Sequence, residues 1–256
     1  MEKIISRTPL IIISLLIASM AFIWITKKKP AQTHDSTKLI VGTNAEYPPF
    51  SFVKNDTIVG FDIDIAQEVC KRLNKKIVLI DMPFDALLPK LQLGTVQLVA
   101  AGMTVTPERA KRVIFTRPYL VDDPLLIISL VNNPVTSLAE LDGKDVVVND
   151  GYTADNFMSQ QKGPILHRLS TPAEALLALR SGRAYAYVTA KSTIKPFFTQ
   201  YGEHEFHVTT IPNVHDSYSL IISPQYPELL APVQEALDAM EHDGTLALFK
   251  TKWDIQ

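Results

Sequence analysis

Three stretches of this 256-residue chain set charge-binding groups where an apolar run gives way to a turn. The fullest runs from Val99 to Arg109: small residues at Ala101 and Gly102, a hydroxyl at Thr104, and Arg109 inside a helix start opened by Thr106 and Pro107. Glycine permits close backbone approach, and a guanidinium grips a carboxylate through two parallel hydrogen bonds. The helix start adds partial positive charge. Together these groups suit an anion such as a free α-carboxylate. The competing account makes Arg109 a solvated residue paired with Glu108 or Asp85, a contact worth little. The coincidence of strand end, small residue, hydroxyl and arginine favours the anion site.

The second stretch runs from Gly42 to Phe50. Pro48 and Pro49 stiffen the turn, and Tyr47 offers an aromatic face with a polar tip for stacking on an aliphatic or cationic side chain. Taken alone, it reads better as a rigid turn with Tyr47 and Phe50 packed in a core. The third runs from Asn149 to Asp155, where Gly151 and Thr153 would turn backbone N–H groups toward the same carboxylate from the other side. Unaided, that pattern is an ordinary capped helix start.

These turns need a scaffold, and hydrophobic periodicity supplies it. Strands are expected at 39–43, 76–80 and 96–101, with helices at 61–73 and 84–93 between them. A second series follows: strands at 146–148, 165–169 and 185–188, helices at 153–161 and 172–179. Helices at 226–240 and 245–253 close the chain. Apolar runs at 125–130 and 219–222 join the two series. The expectation is an α/β protein of two lobes, each a sheet flanked by helices, hinged about a cleft. Residues 38–126 with 220–256 form the first lobe and 127–219 the second. Ligands in open α/β sheets settle outside the carboxyl ends of the strands, where the three stretches lie.

Composition narrows the function classes. An apolar fraction of 46% excludes a disordered chain. Beyond residue 37 there remain 20 basic and 25 acidic side chains, a net of −5, with no electrostatic footprint for nucleic acid. Cys70 is the sole cysteine and lies in an apolar helical pattern, so it reads as buried and inert. His204, His207 and His215 match no metal-binding spacing and read as a solvated polar stretch; no metal or cofactor is expected. Asp62 and Asp64 read as helix-capping groups. Residues 1–29 carry Lys3 and Arg7, then an apolar run from Leu10, then Lys27, Lys28 and Lys29. That is an export signal or a membrane anchor through residues 10–26, followed by a polar tether at 30–37. Either way the remainder is exported.

The runs from Gly42 to Phe50, Val59 to Asp64, Phe84 to Leu91, Ala101 to Arg109 and Phe115 to Tyr119 together resemble the first lobe of the periplasmic polar-amino-acid-binding proteins of ABC importers. Leu141 to Lys144, Gly151 to Thr153, and Gly182 with Arg183 extend the resemblance loosely into the second lobe. It implies the two-lobe type II periplasmic-binding-protein fold, a periplasmic location, and delivery of a captured amino acid to a permease in the inner membrane by a monomer. It further implies that Arg109 clamps the α-carboxylate with backbone N–H groups at Thr104 and Thr153. Ala101 or Gly102 with the Thr104 hydroxyl would take the α-ammonium, and Tyr47 and Phe84 would sandwich the side chain. Asn44 would lie near its distal end, with Glu46 close by.

One departure stands out. The family's ammonium-pairing acid falls here at Ala190, and residues 185–196 contain no Asp or Glu. A buried ammonium without its carboxylate is costly, so Asp150 or Asp216 substitutes, or the ligand is not an ordinary α-amino acid, or binding has decayed. The likeness to arginine binders and the flat aromatic pair favour an arginine-like ligand, with glutamine next. Two other classes share the resemblance: an exported cyclohexadienyl dehydratase, which needs an acid placed to protonate a leaving hydroxyl, and an anchored amino-acid sensor.

Overall fold

The computed structural model describes residues 35–255, so the signal or anchor at 1–29 and most of the tether lie outside the described residues. Two strand series run through it, as the periodicity requires. In the first, β1 (Lys38–Thr43), β5 (Lys76–Asp81) and β6 (Leu98–Thr104) alternate with α1 (Phe61–Arg72) and α2 (Phe84–Gln92). In the second, β9 (Asp145–Asn149), β10 (Ile165–Leu169) and β11 (Ala186–Ala190) alternate with α4 (Thr153–Met158) and α5 (Pro172–Arg180). Between the series lie the one-turn helix α3 (Pro107–Ala110), β7 (Ile114–Phe115) and the crossing strand β8 (Leu120–Leu130). After β11 come α6 (Lys191–Tyr201), the long strand β12 (Phe206–Ile222), α7 (Leu230–His242) and α8 (Thr245–Lys252).

The sheet order is β10-β9-β11-β8-β12-β6-β1-β5, with β7 beside β12. The halves repeat one plan. Parallel strands in the order second, first, third end against an antiparallel crossing strand: β12 beside β6 in the first half, β8 beside β11 in the second. β8 and β12 pair with each other, which makes two half-sheets one continuous sheet. Their register breaks between Thr210 and His215 and again between Asp216 and Tyr218, while Asp122 and Asn213 take positive φ. The β8–β12 seam is therefore regular from Phe206 to Thr210 and irregular from there to Tyr218, where the chain passes from one half to the other.

Two buried clusters serve each half. Leu39, Val41, Phe61, Val69, Leu98, Leu220 and Met240 belong to one first-half cluster, and Leu87, Leu91, Val99 and Met103 to the other. Leu125, Val146, Val148 and Val188 share a second-half cluster, and Leu126, Leu176, Leu179 and Tyr187 the last. Cys70 is buried among the first, which pushes its thiol up to about 11.

Several sequence expectations change. β2 (Glu46–Tyr47) falls inside the stretch read as a turn, and with β3 (Ser51–Lys54) and β4 (Thr57–Val59) it forms a small separate sheet. The helix α6 went unread because Pro196 interrupts its pattern. The expected polar stretch at His204 to His215 lies largely within β12, with His207 and His215 opposite Ser129 and Pro124 of β8. Asp62 and Asp64 cap nothing: Gly60 is the N-cap of α1 and no side chain caps it. Their carboxylates instead tie the helix start to other elements. Asp64 accepts from Lys252 Nζ and Trp253 Nε1, at 2.7 and 2.6 Å.

Candidate functional site

Arg109 is carried by α3, whose first turn is capped by Thr106 Oγ1 accepting from the Arg109 backbone N–H at 3.2 Å. Its side chain is 8% exposed. Neither Glu108 nor Asp85 pairs with it. The guanidinium donates to the Thr104 carbonyl at 2.8 Å and, across to the second half, to the Gly151 carbonyl at 2.7 Å. It also lies 5.7 Å from the Phe84 ring centre. Burial lowers its pKa, and the Asp216 and Glu108 carboxylates oppose that shift.

The strand end beneath it is braced from below. Gly102 has φ +54°, and a Cβ there would lie 2.5 Å from Tyr47 Cε1, so both backbone and space require glycine. Its N–H donates to Asp62 at 2.5 Å, and the Tyr119 hydroxyl donates to the other Asp62 oxygen at 2.7 Å. Burial raises the Asp62 carboxyl to about 7 despite both donors.

Thr104 marks the polar centre. Its hydroxyl donates to Asp216 at 2.8 Å and accepts from the Ser217 N–H at 3.3 Å. Asp216 is 6% exposed, and burial raises its carboxyl to about 6, with Thr153 and Thr104 as hydrogen-bonding neighbours and Arg109 as a favourable charge. Of the two acids proposed to replace the one missing at Ala190, the structure buries Asp216 at this centre and leaves Asp150 exposed. A further acid escaped sequence reasoning. Asp123, on β8, accepts from the Ser192 N–H at 3.1 Å and from its hydroxyl, at the start of the helix that follows Ala190. The Tyr218 hydroxyl lies 3.0 Å from Asp123 and 3.4 Å from Asp216. The signal was available: Asp122 and Asp123 stand immediately before the apolar crossing run at 125–130.

The aromatic part holds the largest surprise. Tyr47 is 2% exposed, stacked on Phe50 at 5.0 Å, with its hydroxyl 2.8 Å from Thr193 Oγ1 and 3.2 Å from the Tyr218 hydroxyl. The packed-core account of Tyr47 and Phe50 therefore holds at the same time as a position at the site. Phe84 is half-buried. Tyr47 and Phe84 do not face a gap, because the Tyr152 ring stands 5.3 Å from Tyr47 and 4.5 Å from Phe84. Sequence reasoning passed over Tyr152 between the two residues it selected.

The remaining predicted residues distribute around this arrangement. Ala101 is buried on β6. Asn44 donates to the Met82 carbonyl at 3.3 Å, while its Oδ1 is buried without a partner. Glu46 is exposed, yet near enough to help raise the Tyr152 phenol. The Gly151 N–H, expected to face the ligand, is taken by Asp155 at 3.1 Å, and Gly151 instead offers its carbonyl to Arg109. Thr153 opens α4. Beside Arg109 a cavity of about 310 Å³ is lined by Phe84, Met103, Glu108, Gly151 and Asn156, among others. No group of three or more His, Cys, Asp or Glu among the described residues could hold a metal ion.

Two lobes closing a strand-end site of buried arginine, acid and aromatics match a known group. The profile of the bacterial extracellular solute-binding proteins, family 3, covers residues 39–255. The chain belongs to that family. Among curated relatives, the arginine-binding extracellular protein ArtP of Bacillus subtilis is 31% identical over 84% of this chain and 86% of its own length. A putative ABC transporter arginine-binding protein of Escherichia coli is 32% identical over 82% and 88%. An ancestral arginine-binding protein solved with arginine matches at TM-score 0.80 and 33% identity, over 86% of this chain and 99% of that one. The same kind of ancestor bound to glutamine also gives 0.80, at 32% identity over 87% and 100%. These relatives are binding proteins rather than enzymes, and the dehydratase alternative finds no support among them. Family membership places the solute-binding lobes outside the cytoplasm. No helix among the described residues is long and apolar enough to cross a membrane.

Proposed function

We propose that this solute-binding protein captures a polar α-amino acid by hinge closure and delivers it to the permease of an ABC importer. The observation that carries this reading is the burial of a guanidinium and a carboxylate, Arg109 and Asp216, on either side of Thr104. An α-amino acid presents the complementary pair. Its carboxylate takes the Arg109 donors that now reach the Gly151 carbonyl, and Thr104 and Thr153 border the same position. Its ammonium takes the Asp216 carboxylate, which supplies the charge absent at Ala190. Ala101 and Gly102 form the floor, and Tyr47, Phe84, Asn44 and Glu46 bound the side-chain end. A planar cationic side chain such as that of arginine suits two aromatic faces with Glu46 beyond, and relatives named for binding arginine support the same choice. Glutamine is the neutral competitor.

The hinge of the two lobes falls at 121–124 and 212–217, where both crossing strands lose register, a few residues from the boundaries at 126/127 and 219/220. The protein acts as a monomer. Residues 1–29 direct export, and an N-terminus found intact by mass spectrometry of the exported protein would make 10–26 a tether.

Titration calorimetry against the twenty amino acids tests the reading. A ligand at a hundredfold excess over its Kd stabilises the fold by about 2.7 kcal/mol, so a thermal-shift screen should detect the same compound. Retention of none of them overturns it.

A further inference from the structure

Gly151 and Tyr152 lie together where an amino acid would bind. The Gly151 carbonyl oxygen accepts from the Arg109 guanidinium at 2.7 Å, the interaction a ligand carboxylate oxygen would make. The next residue sends its ring between Tyr47 and Phe84, at 5.3 and 4.5 Å, where a ligand side chain would stack. Tyr152 belongs to the second half, yet it is buried in a first-half cluster whose other members all come from residues 39–120 and 218–255. The Tyr152 hydroxyl is buried with no hydrogen-bond partner, as is Asn44 Oδ1. An unpaired buried polar group is a penalty that hydrophobic contact alone must overcome. The ring is thus held by an edge-on contact with Tyr47 and a tilted one with Phe84, but poorly served at its polar tip.

We propose that Gly151-Tyr152 is an internal ligand, and that Tyr152 sets specificity because an incoming side chain must displace its ring from the slot between Tyr47 and Phe84. This rests on the amino-acid reading above. Apparent affinity is then the intrinsic affinity divided by the penalty of expelling Tyr152, since only the fraction of molecules with the ring withdrawn can bind. Side chains that stack between two aromatic faces and also form hydrogen bonds, a guanidinium above all, recover what the ring gives up. Small aliphatic side chains recover neither.

The experiment compares the wild-type chain with Tyr152→Ser and Tyr152→Phe, by small-angle scattering without added amino acid and by calorimetry with arginine. Tyr152→Ser should expand the protein in the absence of arginine, because the ring no longer bridges the halves, and should bind arginine at least tenfold more tightly. Tyr152→Phe removes the unpaired hydroxyl and keeps the ring, so it should remain compact and bind several-fold more weakly than wild type. A Tyr152→Ser chain as compact as wild type, or one that binds arginine no more tightly while wild type binds it, overturns the proposal. So does a Tyr152→Phe chain that binds more tightly than wild type. If none of the three retains any amino acid, the proposed function is what fails, and the scattering comparison still decides whether Tyr152 bridges the halves.

Discussion

The two halves share a strand order but not the chemistry at their strand ends. At the end of its third parallel strand and just beyond it the first half places Gly102, Thr104 and Arg109, each fixed by a partner: Asp62 on the Gly102 N–H, Asp216 on the Thr104 hydroxyl, carbonyls on the guanidinium. At the same point the second half places Ala190, the last residue of its third parallel strand, and Lys191, with no acid of its own, and the crossing strand lends Asp123 to that helix start. After their first strands, by contrast, both halves place a tyrosine, and Tyr47 meets Tyr152 across the division. One half braces its strand-end groups, and the other sets the Gly151 carbonyl and the Tyr152 ring against them. Equal topology leaves room for this because the sheet constrains only where a strand ends, not which side chain follows it.

The strongest way to break that contrast is Arg109→Ala. Amino-acid binding should fall by about thirtyfold or more in calorimetry, in line with the roughly 2–5 kcal/mol lost when one partner of a buried charge pair is removed, while far-UV circular dichroism shows the fold retained. Wild-type affinity in that variant removes the carboxylate clamp. Asp62→Ala attacks the bracing instead. It strands the Gly102 N–H and the Tyr119 hydroxyl, so unfolding stability should fall by about 2–4 kcal/mol, a drop of several degrees in Tm for a protein of this size. No change would mean the first half's rigidity has another source.

Phe84→Ala is a milder perturbation, since Phe84 is half-buried and its loss leaves most of the core in place. Binding should weaken about tenfold, the value of one stacking face. Tyr47→Ala should also weaken binding, but with a stability loss of about 3–5 kcal/mol, because this ring is core and site at once. Equal stability losses for the two would erase the distinction.

pH sharpens the comparison further. Burial raises Asp62 to about 7 and Asp216 to about 6 from the ordinary 3.8. The native state therefore holds protons that the unfolded chain releases near pH 4, and stability falls as pH rises through that interval. Glu68 and Asp243 are lowered instead, so their contributions are lost only below about pH 4 and leave this window alone. Asp123 is raised by burial in the same direction, so Tm should be higher at about pH 5 than at about pH 8, and Asp62→Asn should flatten part of the difference. Binding should run the other way: an ammonium needs ionised Asp216, so affinity should drop as pH falls below about 6. The smallest effect is expected from Lys195→Ala, which removes the exposed pair with Asp254 between α6 and the C-terminal segment. A change within about 0.5 kcal/mol is expected.

Much of this was legible beforehand. The alternation of strands and helices, the capped turn at Thr106 and the placement of Arg109 at a strand end all follow from local patterns: apolar periodicity, a hydroxyl before proline, a guanidinium in the first turn of a helix. The misreadings share a cause. Asp62 looked like a cap because a carboxylate at a helix start usually is one, yet its partners, Gly102 and Tyr119, are distant in sequence. Asp123 and Tyr152 were passed over for the same reason, each acting across the division between the halves.

By itself the sequence determined the secondary-structure series, the exclusion of nucleic acid and metal chemistry as expectations, the family, and the residues competent to hold a carboxylate. Those depend on composition and near-neighbour spacing, which the chain states outright. Tertiary structure alone decided which acid stands beside Thr104, that the crossing strands fuse the half-sheets, and that Tyr152 enters between Tyr47 and Phe84. Such contacts join residues about 70 to 110 positions apart, and only the packing of one half against the other brings them within reach.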